Sequence, residues 1–348
     1  MELYRIDEKG LAEAMARLIA EYRVVAPVEK GPRHVFDDIQ DWSEARPLAV
    51  GTVLPPKKFV FPQRETLLRF QLTGEAPQAE AVVDDTPVVL AGVHPCDITG
   101  LRCIDHTLAG RYFDEHYGAR RMNAIILGFD CMPDGHCFCS SVGSLKVESG
   151  FDLFFTPLQV GGYAVRVGTQ RGRKLLEDYF TAAAPAGVYE ESLEEDFRKR
   201  KAAAIRLSID APVGDLPGIY QQAMRSKVWE KWAEVCFSCG SCNLVCPTCY
   251  CFDVQDRVSL DGAEGRRERV WDSCMLAEFA EVAGGHNFRP TPSARLIHRH
   301  NRKFNYQQDR YGEPHCTGCG RCARACLVHI DMVTIANELI AEQRGEAS

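Results

Sequence analysis

Residues Val235 to Asp253 read VCFSCGSCNLVCPTCYCFD, with six cysteines between positions 236 and 251. Disulfides, zinc, iron-sulfur clusters and catalytic thiols are the chemistries that need so many thiols so close together. The rest of the chain narrows the choice. Its 348 residues, 45% of them apolar, are enough to bury a full core and suggest two domains or one large domain with an attached module. The net charge of -7 speaks against a nucleic-acid binder. MELYRIDEKGLAEAMARLIAEYRVV at the start carries charges throughout, unlike a signal peptide, and no window approaches about eighteen uninterrupted apolar residues. A cytoplasmic protein without membrane contact is expected. In a reducing compartment sixteen cysteines, eleven of them between Cys236 and Cys326, read as metal ligands or redox groups rather than disulfides.

Gaps of two, two and three residues separate Cys236, Cys239, Cys242 and Cys246, and Cys316, Cys319, Cys322 and Cys326 repeat those gaps 80 positions later. The local sequences CFSCGSCNLVCP and CTGCGRCARACL correspond as well. This is the ligand run of two-cluster ferredoxins, in which three cysteines of one run and the last cysteine of the other hold each 4Fe-4S cube. One cluster is then assigned to Cys236, Cys239, Cys242 and Cys326, and the other to Cys316, Cys319, Cys322 and Cys246. Gly240, Ser241, Gly318 and Gly320 supply the small residues and open backbone amides that such loops need. Leu327 stands where proline usually follows the last cysteine. Zinc favours separated cysteine pairs, so a zinc-stapled interaction module is the weaker reading. Cys242, Cys246 and Cys249 also show the C-x3-C-x2-C spacing of radical SAM enzymes, but that spacing arises by overlap and has no counterpart near Cys326.

The first half alternates helical and strand patterns. LAEAMARLIAEY has helical spacing, TPVVLAGV and NAIILGF are short β-branched runs, and FDLFFTPLQVGGYAVRV reads as a hairpin about Gly161-Gly162. A charged helix, ESLEEDFRKRKAAAIRL, leads to DAPVGDLPG, a boundary near residue 215. The expected architecture is a mixed α/β domain over residues 1-215. A mostly helical, ferredoxin-like two-cluster module follows over 216-348, with a long insertion at about 247-315. GIYQQAMRSKVWEKWAEV reads as one helix entering the cysteine run, and IDMVTIANELIAEQ as a final helix. No G-x-G-x-x-G fingerprint lies between a strand and a helix, and no Walker loop occurs, so no nucleotide site is expected.

Cys96 and Cys131 each follow an apolar strand, with a segment between them long enough for a helical crossover. If those strands are parallel neighbours, both cysteines emerge at one carboxyl edge, where α/β folds build ligand sites. Cys137 and Cys139, in GHCFCSS, need only a short loop to join them. The spacing leaves two readings open, a third 4Fe-4S cluster or four unligated core cysteines. Cys103 shares a helix face with Leu101, Ile104 and Leu108 and reads as core. Cys249, Cys251 and Cys274 read as core, as support behind the ligands, or as ligands in another register, with core or support favoured.

LPPKKFVFPQRETLL, GVHPCD, CFCSSVG, CPTCYCFDV, WDSC, GGHNFRP and CTGCGRC together resemble the iron-sulfur beta subunit of cytoplasmic NAD(P)-linked NiFe hydrogenases, the sulfhydrogenases. A subunit of anaerobic sulfite reductase is similar. The resemblance spans about Leu54 to Asp331. It implies a chain that carries electrons without substrate chemistry of its own, between a flavin subunit that uses NAD(P) and a catalytic subunit. That catalytic partner is the small and large hydrogenase subunits or, alternatively, a siroheme subunit. The resemblance favours the third cluster on Cys96, Cys131, Cys137 and Cys139. His94 departs from an expected arginine in GVRPCD.

NFRPTPSARLIHRHNRKF, a basic segment in an acidic chain, is read either as neutralising anionic clusters or docking a partner, or as a solvated loop. Arg120-Arg121 and Arg266-Arg267 are read as ordinary surface charge.

Overall fold

Val88–Val93 and Ala124–Phe129 are buried along their whole length and pair in parallel, with Val88 opposite Ala124 and Leu90 opposite Ile126. Continuous apolar runs of this kind suit strands covered on both faces. In this computed structural model, which describes residues 2–74 and 76–346, they lie inside an eight-stranded mixed sheet. The strands are β1 (Leu3–Ile6), β2 (Arg23–Lys30), β3 (Arg33–Asp38), β4 (Arg64–Gln71), β5 (Gln78–Ala81), β6 (Val88–Val93), β7 (Ala124–Phe129), β8 (Leu153–Pro157), β9 (Tyr163–Val167), β10 (Ala184–Pro185), β11 (Phe252–Val258) and β12 (Glu264–Trp271). The large sheet has the order β10-β1-β9-β8-β7-β6-β2-β3, with a parallel centre from β2 to β8 and antiparallel margins.

The helices of the first half are α1 (Glu8–Glu21), α2 (Pro95–Leu108), α3 (Glu115–Asn123), α4 (Gln170–Asp178) and α5 (Val188–Ala204). α1 starts where the Asp7 carboxylate accepts from the Gly10 amide at 2.7 Å. Its buried residues Leu11, Ala14, Met15 and Leu18 recur at helical spacing and pack on one face of the sheet with Leu175 and Leu176 of α4. Ile98, Leu101, Ile104 and Leu108 of α2 and Tyr117 of α3 cover the other face. α2 and α3 are the crossover between β6 and β7, so the sequence expectation of parallel neighbours and a helical return holds. The hairpin at Gly161-Gly162 is present as β8-β9. Cys103 is fully buried on α2, as expected of a core residue.

The second half contains α6 (Leu216–Gln222), α7 (Val228–Val235), α8 (Ser241–Leu244), α9 (Pro292–Phe304), α10 (Tyr306–Tyr311), α11 (Arg321–Ala325) and α12 (Met332–Gln343). A third apolar cluster joins α6, α7, α9 and α12, including Tyr220, Trp229, Leu296, Phe304, Ile335 and Leu339. The expected single helix before the cysteine run is broken. Ser226 is extended, at φ -63° and ψ 141°, and its hydroxyl accepts from the Val228 amide at 3.1 Å. Trp229 then turns inward and its indole donates to the Ala223 carbonyl at 2.7 Å.

The hairpin β11-β12 pairs with β4, giving a second sheet of order β11-β12-β4-β5. β4 and β5 therefore share a sheet with β11 and β12 across residue 215. The surface reading of the arginine pairs fails in part here. Arg120 lies 2.5 Å from Glu65, Arg269 lies 2.6 Å from the same carboxylate, and all three are buried between α3 and the second sheet. Arg121 is paired with Asp105 through Nε and Nη2, both at 3.1 Å. Arg267 is the exposed kind, pairing with Asp256 on the neighbouring strand.

Removing one member of a buried ion group leaves the others uncompensated in a poorly solvating interior. Glu65→Ala removes the carboxylate the two arginines share and leaves Arg269 with Asp114 and Arg120 with the half-exposed Asp84; it is expected to destabilise the protein by about 3 kcal/mol, the lower end for a broken buried pair. The check is the chemical-denaturation midpoint; a value unchanged from wild type would show that these charges are solvated.

Candidate metal centres

Twelve cysteines line three cavities in sets of four, and Cys319 of one set also lines the wall of another. Among the described residues no three His, Cys, Asp or Glu side chains are grouped as a site for a single metal ion. These thiols surround spaces instead.

Cys236, Cys239, Cys242 and Cys326 line the first cavity, with Met275, Leu296, Arg299 and Ile330. The chain enters it through Ser238 at φ 50° and leaves through His329 at φ 55°, two non-glycine residues in the left-handed region. These bends turn backbone amides inward: Ser238 N is 3.4 Å from Cys236 Sγ and Ile330 N is 3.3 Å from Cys326 Sγ. Such N–H groups stabilise negative charge on ligating sulfur. Cys239 is the exposed member, and the hydrogen bond with the Ser241 hydroxyl, at 3.4 Å, holds its thiol below the ordinary value. Burial pushes Cys242 up to about 12, against the opposing pull of Arg299.

Cys246, Cys316, Cys319 and Cys322 line the second cavity, with Arg299, Lys303 and Met332. Cys246 thus faces the other run's thiols, and Cys326 faces the first run's. Burial pushes Cys316 up to about 12. A thiol so raised stays protonated in the bare protein, and a bound metal removes that proton outright.

Cys96, Cys131, Cys137 and Cys139 line the third cavity, with His94, Ser144, Lys201, Cys319 and Arg321. Cys96 sits in the first turn of α2, just past β6, and Cys131 follows β7, so both arrive at the carboxyl edge of the parallel strands. The Cys137–Cys139 loop is held against the second ferredoxin run. Phe138 N donates to the Gly318 carbonyl at 2.8 Å, and Ser144 Oγ donates to the Thr317 carbonyl at 2.6 Å. Gly318, at φ +60°, comes so close that a Cβ there would lie 2.6 Å from the Cys139 amide nitrogen. Any larger residue would push the two loops apart.

Buried ion pairs border this cavity. Lys201 of α5 donates to Asp130 and to the Leu145 carbonyl, both at 2.5 Å, in a fully buried pair. Arg321 forms two bonds to Asp97, at 2.6 and 2.8 Å, and two to Thr52. Burial pushes Cys131 up to about 12 while Lys201 pulls it down. His94, buried and therefore held neutral, contacts the Pro47 carbonyl through Nε2 at 3.0 Å.

The basic segment of residues 287–304 is not a solvated loop. Most of it is α9, and Arg295, Arg299 and Lys303 recur at four-residue spacing on its buried face. Arg299 borders the first and second cavities and Lys303 the second. Four-residue periodicity in the basic residues was the available signal for this placement.

Residues 235–330 match the family described as 4Fe-4S dicluster domain. Over 344 residues the chain is 36% identical to Sulfhydrogenase 2 subunit beta of Pyrococcus furiosus, covering 97% of this chain and 98% of that protein. The chain belongs to the sulfhydrogenase beta-subunit family. No solved structure matches it. As a sulfhydrogenase beta-subunit relative, the chain is an iron-sulfur protein of electron transfer, with a ferredoxin-like dicluster domain carrying 4Fe-4S clusters behind a mixed α/β body. Among the described residues, no helix of this beta-subunit relative is long and apolar enough to cross a membrane.

Proposed function

We propose that the chain passes single electrons through three 4Fe-4S clusters between a flavin subunit that uses NAD(P) and the nickel-iron subunits of a hydrogenase. The ligand sets are Cys236, Cys239, Cys242 and Cys326; Cys316, Cys319, Cys322 and Cys246; and Cys96, Cys131, Cys137 and Cys139. Residues 1–215 carry the last of these, and residues 216–348 the other two. The observation that carries the reading is the gathering of twelve thiols about three cavities in sets of four, with Cys319 lining both the second and the third. Arg299 in turn borders both ferredoxin-run cavities, so the three sites are consecutive.

A cube takes up one electron with little rearrangement, and its potential follows charge, solvent access and hydrogen bonds to sulfur. Two-electron hydride chemistry at a flavin is thereby divided into single steps. The first cavity is where the wire meets the surface. Cys239 is exposed there, and Phe237 and Leu327 beside it are 67% and 79% exposed. Leu327, the departure from the usual proline, thus adds apolar surface at the rim, which suits contact with a redox partner.

Purification of the tagged chain from its native host is the test. Nickel and a flavin subunit should copurify, and hydrogen should reduce the chain's clusters within that complex. A siroheme subunit in place of nickel would move the chain to a sulfite-reducing complex. The isolated chain, reconstituted with iron and sulfide, is expected neither to turn over hydrogen nor to bind NAD(P) tightly; sustained hydrogen uptake by the purified chain alone would overturn its role as a carrier.

A further inference from the structure

Cys249, Cys251 and Cys274 stand outside the twelve cysteines assigned above, and they are brought together. They line one cavity bounded by Asn243, Arg299, Lys303 and His315. The hairpin β11-β12 does the assembling. Its last register pair is Phe252 opposite Trp271, and Asp272 N donates to the Cys251 carbonyl at 3.0 Å. Cys251 and Cys274 therefore flank the open base of the hairpin, and Cys249 lies two residues upstream. Strand ends that each deliver a cysteine are also how the third cavity is made.

We propose that Cys249, Cys251 and Cys274 hold a fourth iron-sulfur cluster, with His315 as the side chain available to its remaining iron. Three observations carry this. The thiols are held by polar groups rather than apolar packing: Asn243 Nδ2 is 3.0 Å from Cys274 Sγ, and Lys303 Nζ is 3.7 Å from Cys249 Sγ. Asn243 is itself fixed by Arg299 Nε at 3.1 Å.

Buried cations converge without carboxylates. Lys303, Arg299 and Lys57, which donates to the Cys249 carbonyl at 2.5 Å, are each 5% exposed or less. Among the described residues none of the three makes a salt bridge to Asp or Glu. Unmatched buried charge is costly, and an anionic cluster is its natural counterpart. Arg299 and Lys303 line this cavity as well as the ferredoxin-run cavities, whereas Lys57 lies over the Trp271 ring at 4.2 Å and reaches the site through the Cys249 carbonyl.

Finally, His315 is 1% exposed and lines the cavity, yet neither ring nitrogen has a hydrogen-bond partner. Buried imidazoles normally find one. A metal ligand would account for it, since imidazole replaces cysteine at iron in some clusters.

The test compares iron, acid-labile sulfide and zinc in the anaerobically purified full-length chain and in its Cys251→Ser and Cys274→Ser variants. Each variant is expected to lose about four irons with matching sulfide while the reduced-state EPR of the other clusters persists. This difference tests the site independently of how many irons the other twelve cysteines hold. Equal metal content in wild type and both variants would overturn the proposal, as would loss of one zinc with no iron. Should both variants fail to fold, Mössbauer quantification of the fully loaded wild type and of Cys131→Ala decides. In wild type about sixteen irons supports the fourth cluster; in Cys131→Ala, which cannot complete the third, about twelve supports it and about eight or fewer refutes it.

Discussion

Changing Cys326 to serine is expected to damage the cluster of Cys236, Cys239 and Cys242, which lie more than 80 positions earlier, and to spare the cluster of its own neighbours Cys316, Cys319 and Cys322. Cys326 reaches that distant cavity because the second run turns through the short helix α11 and then bends at His329, presenting Cys326 to the first run's thiols. Cys246 makes the reciprocal crossing. Serine offers an oxygen ligand of higher pKa and poorer match to iron. The first-run cluster should therefore fall to a three-iron form or be lost, removing about one to four irons. EPR of the reduced variant should retain the signal that Cys319→Ser abolishes. A lesion assigned to the Cys316 cluster would refute the exchange and imply that each run closes its own cube.

Legibility of the sequence followed the range of the interactions. The repeated cysteine gaps are local, so the two ferredoxin runs could be read directly, and the thiols assigned to each cluster line a common cavity. β6 and β7 were legible for a similar reason, as fully buried parallel strands leave unbroken apolar runs. The break between α6 and α7 was not, because Ser226 competes with the helix through its hydroxyl, and Trp229 is drawn inward by tertiary packing that propensity does not record.

The grouping of Cys249, Cys251 and Cys274 depends on the β11-β12 register, and that hairpin is held by pairing with β4 almost 200 positions away. Nothing near those cysteines announces it. Arg120 was misread for the same reason. Its partner Glu65 lies 55 positions back on the second sheet, and an arginine pair in a polar stretch looks solvated until such a partner is placed. In the basic segment the charge was visible and its direction was not. Only helix formation over Pro292–Phe304 puts Arg295, Arg299 and Lys303 on one inward face.

Cys131→Ala and Cys137→Ala in the full-length chain should each remove about four irons and leave both ferredoxin-run clusters spectroscopically intact. Two parallel strands bring Cys96 and Cys131 to one sheet edge, and the Cys137–Cys139 loop closes over them, so deleting any one thiol leaves the cube three ligands. Buried ion pairs at the cavity wall bear on the expectation. Lys201 is already paired with Asp130, and Arg321 with Asp97, so these groups are neutral as pairs and positioned by carboxylates before any cluster is added. Both line the cavity beside the four thiols, and neither is an unmatched cation. A full-length protein is required, because the Phe138–Gly318 and Ser144–Thr317 bonds join this loop to the second run, and a fragment ending near Asp215 would lose them. Iron and sulfide analysis beside circular dichroism separates cluster loss from unfolding. If either variant folds and keeps the wild-type iron content, those four cysteines are packing residues and the electron path begins at the ferredoxin runs.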